Sequence, residues 1–344
     1  MSRNETINRL RSINDDISAG HLNAALEQMQ ALAEQKMQWE VGADIKTAIT
    51  NYGYMLSYFA KGVVDPDLDK VFGRMQLEAW ALFDRLRRAI DIPGYSSLYF
   101  DIVRLRKLRS ESLETLLTTY YTAIEADTDL VSTLASAEFE GTTYRGQQPK
   151  EEALKALFEY IWTSHPLKEE QLEHLLQGIE TVAVKGEELD IETYATCMIA
   201  ALMLGDLQYA DTGRQVAIAR LYMTYADSRP RIAATALCAL SIMLFRHRRR
   251  PIDPQLKDIL ASVTETATWN RDFKTVTLEM VRVRNTENVD RAMRDVIIPG
   301  VSKIRDSLMD QIKDGNIPAE GIKAEDLEKL EANPEWEKML EHSG

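Results

Sequence analysis

A chain of 344 residues, 45% hydrophobic and 28% charged, has the composition of a folded protein and is long enough for two or three ordinary domains or one array of stacked repeats. Only 16 Gly and 10 Pro occur; sheet proteins of this size need many tight turns, so long helices with short connections are expected. A formal net charge of −13 argues against a general nucleic-acid binder, which needs surplus Lys and Arg to meet phosphates.

At the N-terminus, Ser2 and Glu5 have capping-box spacing, in which the hydroxyl and the carboxylate satisfy free N–H groups at a helix start. Ile7, Leu10, Ile13 and Ile17 then form one apolar stripe, and Gly20 supplies a left-handed stop. The same segment has no apolar core or small-residue cleavage site, so no secretory signal is read and the cytoplasm is the expected location. Leu22, Ala25, Leu26, Met29, Leu32 and Ala33 repeat the helical spacing, as do Ile45, Ile49, Tyr52, Leu56 and Phe59 before Gly62. Asp65-Pro66 opens a fourth helix, with Phe72, Met75, Ala79, Leu82 and Leu86 inward, and Asp91–Gly94 ends it. Further stripes run through Leu98, Ile102 and Leu105, then Leu113, Leu116, Leu117, Tyr120 and Ile124. Core packing accounts for Tyr52, Tyr54, Tyr58 and Phe59 with Trp39 and Trp80; an aromatic groove for a partner helix is the second reading. No run of alternating β-branched residues interrupts the series, so the fold is expected to be all-α.

"EFEGTTYRGQQP", residues 138–149, has no helical stripe and reads as an irregular loop between an N-terminal helical block, 1–137, and a second block, 150–314. Helices are expected over 149–163, 168–184, 190–204, 206–226, 228–247 and 253–267, with an acidic helical segment, 315–344, last. Candidate pairs recur about every 40 residues, the period of helical repeat stacks.

"YADSRPRIAATALCALSIMLF" is similar to a HEAT repeat, carried by Asp227, Pro230, Arg231, Ala234, Ala236, Leu237 and Leu240. "SAGHLNAALEQM" has the look of tetratricopeptide (TPR) pairs, and the whole resembles uncharacterised bacterial helical-repeat proteins. That resemblance implies a right-handed superhelical stack of antiparallel helix pairs, an α-solenoid of about 13–16 helices. It also implies further repeats: "NPEWEKMLEHSG" reads as a helix cut short, so the natural polypeptide is expected to run on past Gly344.

The uncharged stretch from Ile232 to Phe245 is too short to span a bilayer, which needs roughly 20 residues. Small residues around a line of leucines suit a helix buried on several sides between repeats. Arg246, His247, Arg248, Arg249 and Arg250 follow at its carboxyl end, where cations offset the exposed carbonyls. The cluster exceeds what a cap needs, so these five are the candidate partner-binding residues, for an acidic ligand or the protein's own acidic surface. Residues 306–344 carry a net −7 and residues 168–192 a net −6, while Arg85, Arg87, Arg88, Arg104, Arg106, Lys107 and Arg109 gather elsewhere, a segregation that suits self-association or a charged partner.

Motifs for catalysis, cofactor binding and metal ligation are missing: no glycine-rich phosphate loop, Cys-x-x-Cys, His-Glu-x-x-His, Gly-x-Ser-x-Gly or Glu-x-x-His occurs. Cys197 and Cys238 lie in apolar runs and read as buried small hydrophobes in a reducing compartment. The expected function is therefore a non-catalytic protein–protein interaction scaffold or adaptor, binding a protein partner or itself, with no membrane and no small-molecule substrate identified. The alternative is an enzyme on an all-helical scaffold, such as a HEAT-like nucleic-acid-modifying enzyme, disfavoured by the acidic charge.

Overall fold

The computed structural model describes residues 2–61, 67–90, 97–135 and 147–292, and the chain groups into two units, Met1–Asp272 and Phe273–Gly344. The described residues are all-α, with no strand among them. The first seven helices are α1 (Arg3–Ala19), α2 (Leu22–Gln35), α3 (Trp39–Ala60), α4 (Leu68–Ala89), α5 (Leu98–Arg109), α6 (Leu113–Ala135) and α7 (Gln147–Thr163). They are followed by α8 (Glu169–Lys185), α9 (Glu188–Gln208), α10 (Thr212–Tyr225), α11 (Pro230–Arg246), α12 (Pro254–Thr264) and α13 (Trp269–Ala292).

Local chemistry sets the ends of these helices. Ser2 Oγ accepts from the Glu5 N–H at 3.3 Å while the Ser2 N–H donates to Glu5 Oε2 at 2.6 Å, the reciprocal cap expected for α1. Gly20 stops the helix at φ 81°, a conformation that costs glycine nothing. Pro230 and Pro254 occupy first-turn positions of α11 and α12, where the missing N–H is no loss.

Helices α1–α4 share one core: α2 packs on α1, α3 and α4, and α1 closes against α4. Ile13, Ile17, Met29, Leu32, Ile45 and Leu86 are fully buried there, as the stripes predict. Gln76 donates to the Ile17 carbonyl at 2.9 Å, pinning α4 to the end of α1. The aromatic group divides: Tyr52 and Trp80 are buried, whereas Trp39, Tyr54 and Tyr58 are exposed and core packing does not explain them.

From α5 onward the contacts alternate. Helices α5, α7, α9 and α11 touch in succession, α6, α8, α10 and α12 touch in succession, and α6–α7, α8–α9 and α10–α11 join the two rows. Buried Arg214 is one rivet of this array. Its guanidinium donates to the carbonyls of Ile161 at 2.8 Å and Leu202 at 3.4 Å, and also to that of Ser164, so one side chain satisfies backbone from α7 and α9. Arg106 supports the same end of α7, donating to Tyr160 O at 3.2 Å and Thr163 Oγ1 at 2.5 Å. Lys150, at 2.7 Å from Asp127 and 2.8 Å from Asp190, ties α7 to α6 and α9. Burial works against its charge, but those two hydrogen bonds outweigh it and hold the ammonium pKa above its ordinary value.

Four finer expectations need correction. Helix α11 is not enclosed on all sides: Ile232, Ala233, Ala236, Leu237, Ala239, Leu240 and Met243 are buried against α9 and α10, but Ala234, Cys238, Ile242 and Phe245 lie exposed along the opposite strip. Neither cysteine is a fully buried hydrophobe, Cys197 being partly buried and Cys238 exposed. Gln147, Gln148 and Pro149 form the first turn of α7 rather than the end of a loop; residues 136–146, like the segment 315–344, lie outside the described residues. Helix α10 begins at Thr212, because Asp206 belongs to α9 and it is Asp211 whose carboxylate accepts the Arg214 N–H.

In Phe273–Gly344 the described residues are the 273–292 run of α13, where Val276 is buried while Leu278, Val281 and Val283 are exposed.

Candidate functional site

The basic cluster begins on the last residue of α11 and continues into a tight turn. The His247 N–H caps Met243 O at 3.1 Å and the Arg250 N–H bonds His247 O at 2.8 Å, so the chain reverses before Pro251. That turn separates side chains adjacent in sequence and gives them different work.

His247 and Arg250 are braces. The His247 ring donates from Nε2 to the Asp206 carbonyl at 2.9 Å, with Asp206 Oδ2 3.1 Å away off that line. Asp206 is fully buried, and its Oδ1 accepts from the Asp211 N–H at 2.8 Å and Gln215 Nε2 at 2.9 Å. Arg250 grips Asp84 on α4 through Nη1 at 2.5 Å and Nη2 at 3.2 Å, with its guanidinium 4.3 Å above the Trp80 ring. The turn is therefore clamped to α9 on one side and to α4 on the other.

The remaining three are freer. Arg249 meets Asp15 at 3.5 Å with both side chains mostly exposed, a pair of small worth. Arg248 lies 4.4 Å over the Phe245 ring and donates to the Phe245 carbonyl at 3.0 Å. Arg246 makes no ion pair among the described residues.

Arg87 joins them from α4. It shares Asp84 Oδ1 at 3.4 Å and stacks 5.1 Å from the Tyr209 ring, with Arg88 5.5 Å from the same ring. Tyr209 also takes the edge of His165 at 5.4 Å and of Tyr99 at 6.2 Å. Burial, then the nearby charges of Arg214 and Arg88, push the His165 pKa down to about 3, so this imidazole is neutral.

Cavities open around the turn. One of ≈ 300 Å³ has Arg246 through Arg250, Arg87 and Trp80 in its wall. A larger one of ≈ 790 Å³ shares Asn14, Arg87, Gln208 and Arg246 with it and continues over Ile7, Leu10 and Phe100. A third, ≈ 600 Å³ and mainly apolar, lies between α4 and the α10–α12 side of the turn. Chemically this ensemble is an array of hydrogen-bond donors suited to anions. Among the described residues no three His, Cys, Asp or Glu side chains converge to hold a metal ion.

The five basic residues stand out in the sequence, but the buried acids that anchor two of them, Asp84 and Asp206, do not. Asp84 interrupts the apolar stripe one turn after Trp80, a position where an unpaired acid would be costly, and that was the available signal for a buried partner. Asp206 gave none, because an acid near a helix boundary reads equally well as a cap. No described helix is long and apolar enough to cross a membrane. No family model, curated protein or solved structure matches this chain.

Proposed function

We propose that the protein is a non-catalytic interaction scaffold: an α-solenoid of HEAT- and TPR-like helix pairs, working in the cytoplasm, that offers helix faces to a protein partner. The alternating rows from α5 to α12 support a stacked-pair architecture, in which each helix meets the one two places along the chain. The observation that carries the binding role is the outer face of α5. Leu98, Leu105 and Leu108 are spaced to fall on one stripe and are 67%, 54% and 82% exposed, beside Arg104, Lys107 and Arg109. An amphipathic helix with leucine-type anchors and acidic flanks fits that surface, since apolar side chains supply affinity and the basic rim sets orientation.

The test is proximity crosslinking in cells of the source organism with the native chain and with Leu105→Asp/Leu108→Asp. One stoichiometric partner, recovered with the native chain and lost with the variant while helicity and melting are unchanged, supports the reading. A native chain that stays monomeric at high concentration and crosslinks identically to the variant overturns it. Loss of a dimer in the variant would make the partner a second copy.

A further inference from the structure

The arginine-rich cleft does not need a protein partner to be occupied, and its chemistry points to a different kind of ligand from the face of α5. The two adjoining cavities are walled by Arg11, Arg87, Arg246, Arg248, Arg249 and Arg250, and among the described residues the one carboxylate lining them is Asp15. Asp84, behind the wall, holds Arg250 at 2.5 Å and Arg87 only at 3.4 Å, so much of the donor capacity of Arg87 is left. Arg246 and Arg11 have no ion pair among the described residues. In a protein of net charge −13, so one-sided a lining focuses a positive potential where a compact anion relieves the repulsion.

A second observation is independent of charge. Trp80 is buried to 3% exposure and forms part of the smaller cavity's wall, yet its indole N–H has no acceptor. Buried donors are rarely left so; Trp80 stands between this cavity and the apolar one on the other side of the turn, and its N–H is closed off from both. The larger cavity adds a contrasting environment, with Ile7, Leu10, Phe83, Ile90 and Phe100 around a space of ≈ 790 Å³, within the range that accepts a small organic molecule.

We propose that this cleft between α1, α4 and the ends of α9 and α11 binds a small organic polyphosphate. Its phosphates lie against Arg246, Arg87 and Arg248, and its flat ring lies in the apolar half lined by Leu10 and Phe100. Guanidinium forks match phosphate oxygens in pairs. Several charges on one compact group suit Arg11, Arg87, Arg246 and Arg248 together better than the single carboxylate of an acidic side chain. The inference does not rest on the scaffold reading, and either can fail alone.

Isothermal titration calorimetry of the full chain with ATP, inorganic triphosphate, adenosine and hexaglutamate tests it. ATP is expected to bind in the micromolar range, triphosphate more weakly, and adenosine not measurably. Arg246→Ala is expected to weaken ATP binding about tenfold, the loss of one charge-assisted contact, without altering helicity or melting, because the side chain is exposed and unpaired. Arg248→Ala, also exposed, is expected to weaken it as well. No heat with ATP or triphosphate at millimolar concentration, or ATP binding unchanged in both variants, overturns the proposal. Hexaglutamate binding more tightly than ATP also overturns it, in favour of an acidic peptide, and triphosphate binding as tightly as ATP overturns the role of the apolar half.

Discussion

Arg250 reaches back 166 residues along the chain to hold both carboxylate oxygens of Asp84, at 2.5 Å and 3.2 Å. The turn after α11 and the middle of α4 are thereby joined by a pair that is almost out of solvent, Asp84 being 5% and Arg250 15% exposed. Breaking such a pair from one side leaves a charge without its partner. Arg250→Met is expected to cost about 3 kcal/mol, read from the urea midpoint, and Asp84→Asn more, because Arg87 loses the same carboxylate. The double variant should be less unstable than the sum of the singles. Additive losses would mean that the two side chains are neighbours without being energetically coupled.

Arg214 makes a sharper prediction. It is completely buried, and its largest pKa influence is burial, which lowers the guanidinium value even with Asp211 and Asp206 near by. Arg214→Ala would strand the Ile161 and Ser164 carbonyls and open a void, so a loss of at least about 4 kcal/mol is expected. Gly205→Ala approaches the same fault from the other side. A Cβ there would sit 2.1 Å from Arg214 Nη1 and 3.0 Å from Trp162 O, so the side chain must leave its carbonyls or the helices must part. Differential scanning calorimetry on the two variants should show Gly205→Ala less stable than the native chain and no more destabilised than Arg214→Ala.

How much of this was legible beforehand depends on whether a feature is local. The α1 cap needs only Ser2 and Glu5, and the α2 stripe from Leu22 to Ala33 needs only helical periodicity; both were readable and both are present. Asp206 and Asp211 show where such reading stops. Each is an aspartate near a helix end, but Asp211 accepts the Arg214 N–H as a cap, while Asp206 is buried in the last turn of α9 under His247. Only the return of the chain at residue 247 distinguishes them. The basic cluster repeats the lesson: five neighbours in sequence look equivalent, and the turn commits His247 to the Asp206 carbonyl of α9 and Arg250 to the Asp84 carboxylate of α4 and leaves Arg246 facing the cleft. Exposure of the strip Ala234–Cys238–Ile242–Phe245 was equally hidden, since an uncharged helix carries no mark of which side its neighbours take.

His165 ties stability to pH. Its folded pKa of about 3 lies below the ordinary 6.5, so between those values the unfolded chain binds a proton that the folded chain refuses. The stabilising contribution is fully present above pH 6.5 and is lost progressively as the pH falls toward 3. Because carboxylates also titrate below about pH 4.5, the window from 6.5 to 5 isolates the imidazole. His165→Phe keeps the ring contact with Tyr209 and gives up only weak polar contacts, such as the 3.9 Å approach of Nδ1 to Asp211 Oδ2. The variant's melting temperature should vary less across that window than the native chain's; equal slopes would show that the imidazole titrates in the fold as it does in water.

The thiols test the corrected placement of α11. Cys238 lies on its exposed strip, whereas Cys197 is partly buried and burial raises its pKa to about 11. At pH 8 a thiolate-directed reagent such as Ellman's should therefore modify the native chain once, at Cys238, and reach Cys197 only when denaturant opens the fold. Burial raises the Cys238 thiol as well, so its reaction should be slower than that of a free cysteine but still first. Peptide mapping identifies the site. Cys238→Ser should abolish the early phase and leave helicity intact, because Cys238 is exposed on the outer side of α11 and serine is nearly its size. Early labelling at Cys197 instead would mean that α9 is uncovered and that the α7–α9–α11 row is not closed in solution.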